Sequence, residues 1–317
     1  MSKYLIAVAV LPAFLIAQQQ SPDELKPDTP EIAKHLEAAK KIAGTEWAKE
    51  ATFFCQMPYP NKPDDPEFAP TKVFDNLYAI GRVGTVVYVI TTSDGIILID
   101  SGYANQIDSV LLPGMKKLGL DPAQVKYLIL GHGHVDHFGG APYFQDHYGT
   151  HVASSAADWD LMEMTARNAK PGAPPPPKRD VVMMDGQPIT LGGEKVTPFL
   201  IPGHTPGSTA FVFSVKDGGK TYTAGLYGGT VLIPRIAWNL REYASSLKHW
   251  AEVSKKMKVD VEIQNHPMYD NFTDKLAKLQ ERKPGQPNPF VVGQASYQKF
   301  VGVISECTEA QIIRLGK

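Results

Sequence analysis

Three imidazoles and a carboxylate fall within six consecutive positions, His132, His134, Asp136 and His137, in the stretch Gly131-His132-Gly133-His134-Val135-Asp136-His137. The segment before it, Val125 to Leu130, is mainly apolar and reads as a buried strand. The cluster therefore sits where a rigid strand opens into a loop, a place that holds side chains on fixed backbone while leaving them reachable. With nine histidines in 317 residues, the pattern His-x-His-x-Asp-His should arise by accident in roughly a few per ten thousand such chains. Composition alone is a poor explanation, and a metal centre is the better one.

Neutral imidazole and carboxylate are the donors that Zn²⁺ takes when one coordination position stays open for water. His132 and His134, two apart on an extended segment, point the same way and can reach one ion. His204 is the best third donor, because Pro202-Gly203-His204-Thr205-Pro206-Gly207-Ser208 follows a strand-like segment with residues that permit tight turning. Asp136 and His137 begin a second set that His266, in Asn265-His266-Pro267, completes. Two zinc ions per chain are the expectation, although iron or manganese suits the same nitrogen and oxygen set. Ions about 3.5–4 Å apart can share a hydroxide and make a nucleophile near neutral pH, so the reaction class is hydrolysis. Ser208 lacks the Gly-x-Ser-x-Gly setting of a nucleophilic serine. Asp100, closing the run Ile96 to Ile99, reads as an acceptor that orients a ligand or a loop. His35, His147, His151 and His249 read as solvated or structural imidazoles.

The rest of the chain supports a large core with strand and helix in alternation. Apolar residues make up 43%. A helix is predicted after Thr29 as N-cap and Pro30 in the first turn, with Ile32, Leu36, Ala39 and Ile42 as its apolar stripe. Pro58 to Pro70 reads as a connector. Strands are expected within Leu77–Ile80, Thr85–Thr92 and Ile96–Ile99, the last two joined through Ser93-Asp94-Gly95. Further strands are expected at Gln187–Leu191, Glu194–Ile201, Ala210–Val215, Thr221–Leu226 and Val259–Ile263. Helices are expected over Ala104–Leu118, Ala141–His147, Leu240–Met257 and Ser296–Leu315. Pro171 to Pro177 can join neither element and should be a surface loop. Two similar halves, each a meander of strands with helices, predict an α+β fold in four αββα layers.

Lys3, the apolar stretch Leu5 to Ala17 and the polar exit Gln18-Gln19-Gln20 read as a secretory signal over residues 1–17, the alternative being an uncleaved anchor. Residues 18–70 are then an N-terminal extension with helix and connector, and 71–317 the hydrolase domain. A periplasmic or secreted protein is expected, with no stable membrane insertion after removal of the signal. In an oxidising compartment Cys55 and Cys307 are free to pair; the sequence equally allows two separate buried thiols. A net charge of −1 carries no basic footprint for nucleic acid, so a small-molecule substrate is expected. The oligomeric state is not written in the sequence.

Taken together, Asn76-Leu77-Tyr78, Ile96 to Gly102, His132 to His137, Asp185-Gly186 with Leu191-Gly192-Gly193, Gly203 to Thr209, Asn265-His266-Pro267 and Asn288-Pro289-Phe290 make the chain resemble the metallo-β-lactamase superfamily. Within it the likeness is to the third subclass of zinc β-lactamases, from about Asn76 to the C terminus. The resemblance implies a first zinc on His132, His134 and His204 and a second on Asp136, His137 and His266, with Asp136 orienting the metal-bound hydroxide that opens a β-lactam amide. Most of the superfamily, including glyoxalase II and homoserine lactonases, places a metal-bridging aspartate near the end of the strand that here runs Thr221 to Leu226, and this chain has none. The third subclass commonly has two serines there that meet the substrate carboxylate, whereas this chain has Gly225 and Tyr227. Tyr227 and Gly225 are thus the expected substrate-contacting positions. The alternatives are a related exported metallohydrolase acting on another lactone, ester or cyclic amide, and, more distantly, a non-enzymatic metal-binding or envelope protein.

Overall fold

Side-chain parity along the strands builds the molecule. The computed structural model describes residues 27–56, 65–232 and 237–315, with the side chains of Ala237, Trp238 and Met268 left aside. The expected signal over residues 1–17 and much of the Pro58–Pro70 connector lie outside the described residues. In chain order the strands are β1 Thr71–Phe74, β2 Leu77–Gly81, β3 Val86–Thr92, β4 Gly95–Ile99, β5 Val125–Ile129, β6 His151–Ser155, β7 Val181–Met183, β8 Ile189–Leu191, β9 Glu194–Leu200, β10 Thr209–Asp217, β11 Lys220–Tyr227 and β12 Val261–Ile263. The helices are α1 Pro30–Ala43, α2 Ala48–Gln56, α3 Leu112–Lys117, α4 Val135–Phe138, α5 Ala141–Tyr148, α6 Ala156–Arg167, α7 Ala237–Lys256, α8 Phe272–Gln280 and α9 Gln294–Arg314.

β1 to β7 form one sheet in sequence order, antiparallel from β1 to β4 and parallel from β4 to β7. The second sheet runs β12-β11-β10-β9-β8, with only β11 and β12 parallel. Successive side chains point to opposite faces, and every central strand here is apolar on both. Tyr88, Ile90, Ile97 and Ile99 of the first sheet pack with Phe211, Phe213, Leu226 and Ile263 of the second, filling the space between them. The intervening Val87, Val89 and Leu98 turn outward to Met115, Phe144, Trp159 and Met162. On the far side Ala210, Val212 and Tyr227 meet Trp47, Phe54, Trp250 and Phe300 from α2, α7, α9 and the turn between α1 and α2. The result is the expected αββα sandwich.

α1 begins as expected, with the Thr29 hydroxyl accepting the Ile32 N–H and Pro30 in the first turn. The single helix expected over Ala104–Leu118 is instead a 3₁₀ turn, a π turn at Ile107–Leu111 and then α3. Pro113 explains the break: it has no N–H to donate to Ser109, and the ladder slips to a longer bond just before it. Cys55 of α2 and Cys307 of α9 are disulfide-bonded, with Cα atoms 4.5 Å apart. The bond closes 252 residues of chain and restricts the unfolded state, a contribution of about 2–5 kcal/mol. Beneath the loop that leaves β12, Lys275 is buried against Glu262 at 2.5 Å and Asp270 at 3.6 Å. Glu262 also accepts from Gln264, which precedes Asn265 and His266. This buried charge network anchors the exit of β12.

Candidate metal centre

The expected histidines leave the sheets at one edge. β5 runs into Leu130-Gly131 and then His132 and His134; α4 begins immediately after His134 and carries Asp136 and His137. His204 lies between β9 and β10, and His266 just beyond β12. The two sheets approach closely here. A Cβ on Gly131 would stand 2.9 Å from the Asn265 amide and 3.3 Å from Gly228 Cα, and Gly131 O accepts the Thr209 N–H at 2.8 Å. Glycine at 131 therefore lets the loop carrying His132 cross against the second sheet.

Four of the five inward-facing rings are held from behind. His132 Nδ1–H donates to Gly228 O, His204 Nδ1–H to Val231 O at 2.7 Å, and His266 Nδ1–H to Gly84 O at 2.6 Å. His137 Nδ1–H donates to Asp100 Oδ2 at 2.7 Å. Because Nδ1 carries the proton in these four, each Nε2 offers a lone pair to the centre. His204 Nε2 lies 3.0 Å from His132 Nε2 and 3.1 Å from His134 Nδ1. His137 Nε2 lies 3.2 Å from His266 Nε2, and Asp136 Oδ2 stands 3.4 Å and 3.9 Å from those two nitrogens. His132, His134 and His204 form one donor group, and His132 also falls within 4.8 Å of the donors of His137 and His266, so the two groups adjoin.

Facing lone pairs repel unless a cation lies among them. Three nitrogens at about 2.0–2.1 Å from a tetrahedral ion would stand about 3.3 Å apart, close to the separations above. The donor set thus fits two metal ions in chemistry and in spacing. Burial, and then the neighbouring rings, hold His132 and His204 well below the ordinary imidazole pKa. His134 is lowered by burial, and His266 falls to about 4 through burial and the charge of His137. These are neutral donors. His137 differs: burial acts against its charge, but Asp136 and Asp100 outweigh it and raise the ring to about 10. Burial would raise Asp136, yet His137 outweighs that and holds it well below the usual carboxylate range. A metal ion held by His137 Nε2 would take the place of that ring's second proton and leave the bond to Asp100 intact.

Asp100 has the orienting position expected of it. It is fully buried, adopts φ +62°, and accepts the Gly131 N–H at 2.8 Å besides His137. A non-glycine residue held in the left-handed region is strained backbone, retained where its carboxylate is needed. Asp158 is a residue the sequence reading missed. It is fully buried at the start of α6 and accepts the Gly133 N–H at 2.7 Å, the Gly207 N–H at 2.8 Å and the Thr205 hydroxyl at 2.8 Å. One carboxylate thereby ties the His132–His134 loop to the His204 loop. Its signal was Ser155-x-x-Asp158, a capping-box spacing. Ser155 does cap the helix, but Asp158 turns to the ligand loops instead.

Tyr227 and Gly225 are not at the site. Tyr227 is buried, with its ring 5.7 Å from Tyr243 and 6.2 Å from Trp250, and its hydroxyl has no partner among the described residues. A Cβ on Gly225 would meet the Tyr297 hydroxyl at 2.6 Å. The cause is parity: Ala224 and Leu226 face the first sheet, so 225 and 227 face the helices and cannot touch a substrate. His35, His147 and His151 are away from the centre, bonded to Glu306, the Tyr143 carbonyl and Asp180 respectively, and the His249 ring lies beside Phe199.

Residues 80–224 match the family described as the metallo-β-lactamase superfamily. Among solved structures, BJP-1, a subclass B3 metallo-β-lactamase of Bradyrhizobium japonicum, is 28% identical with a TM-score of 0.68, over 78% of this chain and 95% of that one. A mutant of the FEZ-1 metallo-β-lactamase from Legionella gormanii is 25% identical with a TM-score of 0.69, over 80% of this chain and 99% of that one. A hydroxyacylglutathione hydrolase from Cereibacter sphaeroides is 24% identical over 63% of this chain and 82% of its own length. With this fold, this donor set and these relatives, the chain carries a metallo-β-lactamase superfamily domain, matched over residues 80–224.

Proposed function

We propose that the chain is an exported, binuclear zinc β-lactamase. The observation that carries this reading is the complete six-residue donor set, His132, His134, His204, Asp136, His137 and His266, at the edge of a fold that aligns with the subclass B3 enzyme BJP-1 over 95% of that chain. Two divalent ions bound there supply Lewis acidity and a water acidified toward neutral pH. The chain's own residues do the rest. Gly228 O, Val231 O, Gly84 O and Asp100 fix the rings in the metal-binding tautomer. Asp136, with one-fifth of its side chain exposed, is the carboxylate placed to orient a water proton beside the scissile amide. The substrate is a small molecule.

The likeness to a hydroxyacylglutathione hydrolase favours a thioester as the second reading. The test is a paired assay of zinc-loaded protein on a cephalosporin and on a hydroxyacylglutathione thioester. Ring opening of the cephalosporin with a kcat/KM at least about tenfold above that for the thioester is expected. Thioester turnover with the cephalosporin untouched would replace the first reading by the second.

Export is part of the proposal. The apolar segment Leu5 to Ala17 and the Cys55–Cys307 bond support it, since disulfides persist in oxidising compartments. No helix among the described residues is long and apolar enough to cross a membrane. The mature protein from a periplasmic or culture fraction should have the mass of a chain starting at Gln18; full-length mass in the membrane fraction would contradict this.

A further inference from the structure

Penicillins, cephalosporins and carbapenems carry a carboxylate on the carbon bonded to the lactam nitrogen, so an enzyme that opens them needs a grip for that anion beside its metal site. Among the described residues the end of β11 offers none. Gly228 and Gly229 follow it, and the Thr230 hydroxyl is buried, donating to Tyr227 O at 2.6 Å and lying against Gln264. The Ser208 hydroxyl is taken by Thr205, at 3.0 Å from its N–H and 2.7 Å from its hydroxyl.

A cavity of about 370 Å³ lies on the other flank, lined by Asp65, Arg82, Tyr103, Asn105, Gln106 and Ser109. Its lining comes from two loops that also hold residues of the second donor group. Arg82 belongs to the tight turn Arg82–Thr85, closed by Arg82 N–H to Thr85 O at 3.0 Å. Gly84 of the same turn supplies the carbonyl that holds His266. Tyr103, 40% exposed, follows Ser101, whose N–H and hydroxyl donate to His137 O at 2.8 Å and 2.7 Å. Among the described residues Arg82 is the only cation in the lining, and its guanidinium is aimed by one bond, Nη1–H to Asp65 O at 2.7 Å. Among the described residues it has no carboxylate partner. The Asp65 carboxylate is engaged elsewhere, accepting the Gly84 N–H at 2.6 Å. A fixed guanidinium whose remaining N–H groups bond to no other described residue is a carboxylate receptor, because a charge-assisted bidentate pair is the strongest hydrogen bond it can form.

We infer that this cavity is the substrate's carboxylate subsite and that Arg82 is its ionic contact, taking over at the turn after β2 the role for which the end of β11 has no side chain. The inference rests on the β-lactamase reading above.

The test compares wild type, Arg82→Ala and Arg82→Lys, all zinc-loaded, on a cephalosporin and on its carboxyl methyl ester. Loss of a charge-assisted contact should raise KM for the acid about tenfold or more in Arg82→Ala, with kcat within about twofold and the ester's KM unchanged. Arg82→Lys should recover part of the loss. Equal shifts for acid and ester, or no shift for either, would overturn the inference. A wild type inert to both compounds would instead overturn the β-lactamase reading, and Arg82 is then judged by calorimetric binding of the ring-opened cephalosporin. About tenfold weaker binding to Arg82→Ala upholds the subsite; equal affinity, or no binding by wild type, overturns it.

Discussion

His204→Ala is expected to lower zinc content from two ions per chain to one and kcat/KM by ~10³-fold or more, because an activated water at neutral pH depends on the ion it would lose. The ring of His204 is the hub of the first donor group, at 3.0 Å and 3.1 Å from the other two donors. It is held by a single backbone carbonyl, so the fold should persist and circular dichroism should be unchanged. His151→Ala is the matched control: that ring is 60% exposed and paired with Asp180 at the surface. Metal analysis and steady-state rates on both variants check the claim. Equal losses in the two would show that the donor assignment is wrong.

Asp158→Ala should be the most damaging substitution outside the donor set. Removing this carboxylate strands the Gly133 and Gly207 N–H groups in a fully buried space and leaves the Thr205 hydroxyl with Ser208 alone. Each stranded group costs about 1–3 kcal/mol, which sums to roughly 3–5 kcal/mol once partial relaxation is allowed. Zinc affinity should also fall about 10–100-fold, as for other groups that position metal ligands from behind. Asp158→Asn keeps one oxygen acceptor and the side-chain shape, and should lose less of both. Denaturant unfolding and zinc titration of the two variants measure this. An Asp158→Ala protein with wild-type stability and zinc affinity would remove Asp158 from the account.

The metal-centre residues were legible because each is a polar residue stranded at the end of an apolar segment, among glycines and prolines. His132 to His137, His204 and His266 all have that signature, and so does Asp100. The layered architecture was legible for the same reason, since β3, β4, β5, β10 and β11 are apolar runs with turn signals between them. What failed were features that depend on parity or on distance between elements. Tyr227 and Gly225 were placed at the site by their position near the end of β11, but one residue of register decides which face a side chain takes. α2 and α6 have no clean apolar stripe in the sequence, and with α6 went Asp158; the stripe Phe272, Leu276 and Leu279 of α8 is there but spans barely two turns. The Cys55–Cys307 bond needed the packing of α2 on α9, which no local pattern encodes. Arg82 stood in an unremarkable turn; only the cavity beside it makes its guanidinium meaningful.

Stepwise return of zinc to chelated protein, with cephalosporin ring opening recorded at each addition, tests the central claim most directly. The account predicts no turnover without metal, a rise that saturates at two equivalents per chain, and loss again on chelation. Protein that binds two equivalents of zinc and leaves penicillins, cephalosporins and carbapenems intact at micromolar enzyme would contradict it.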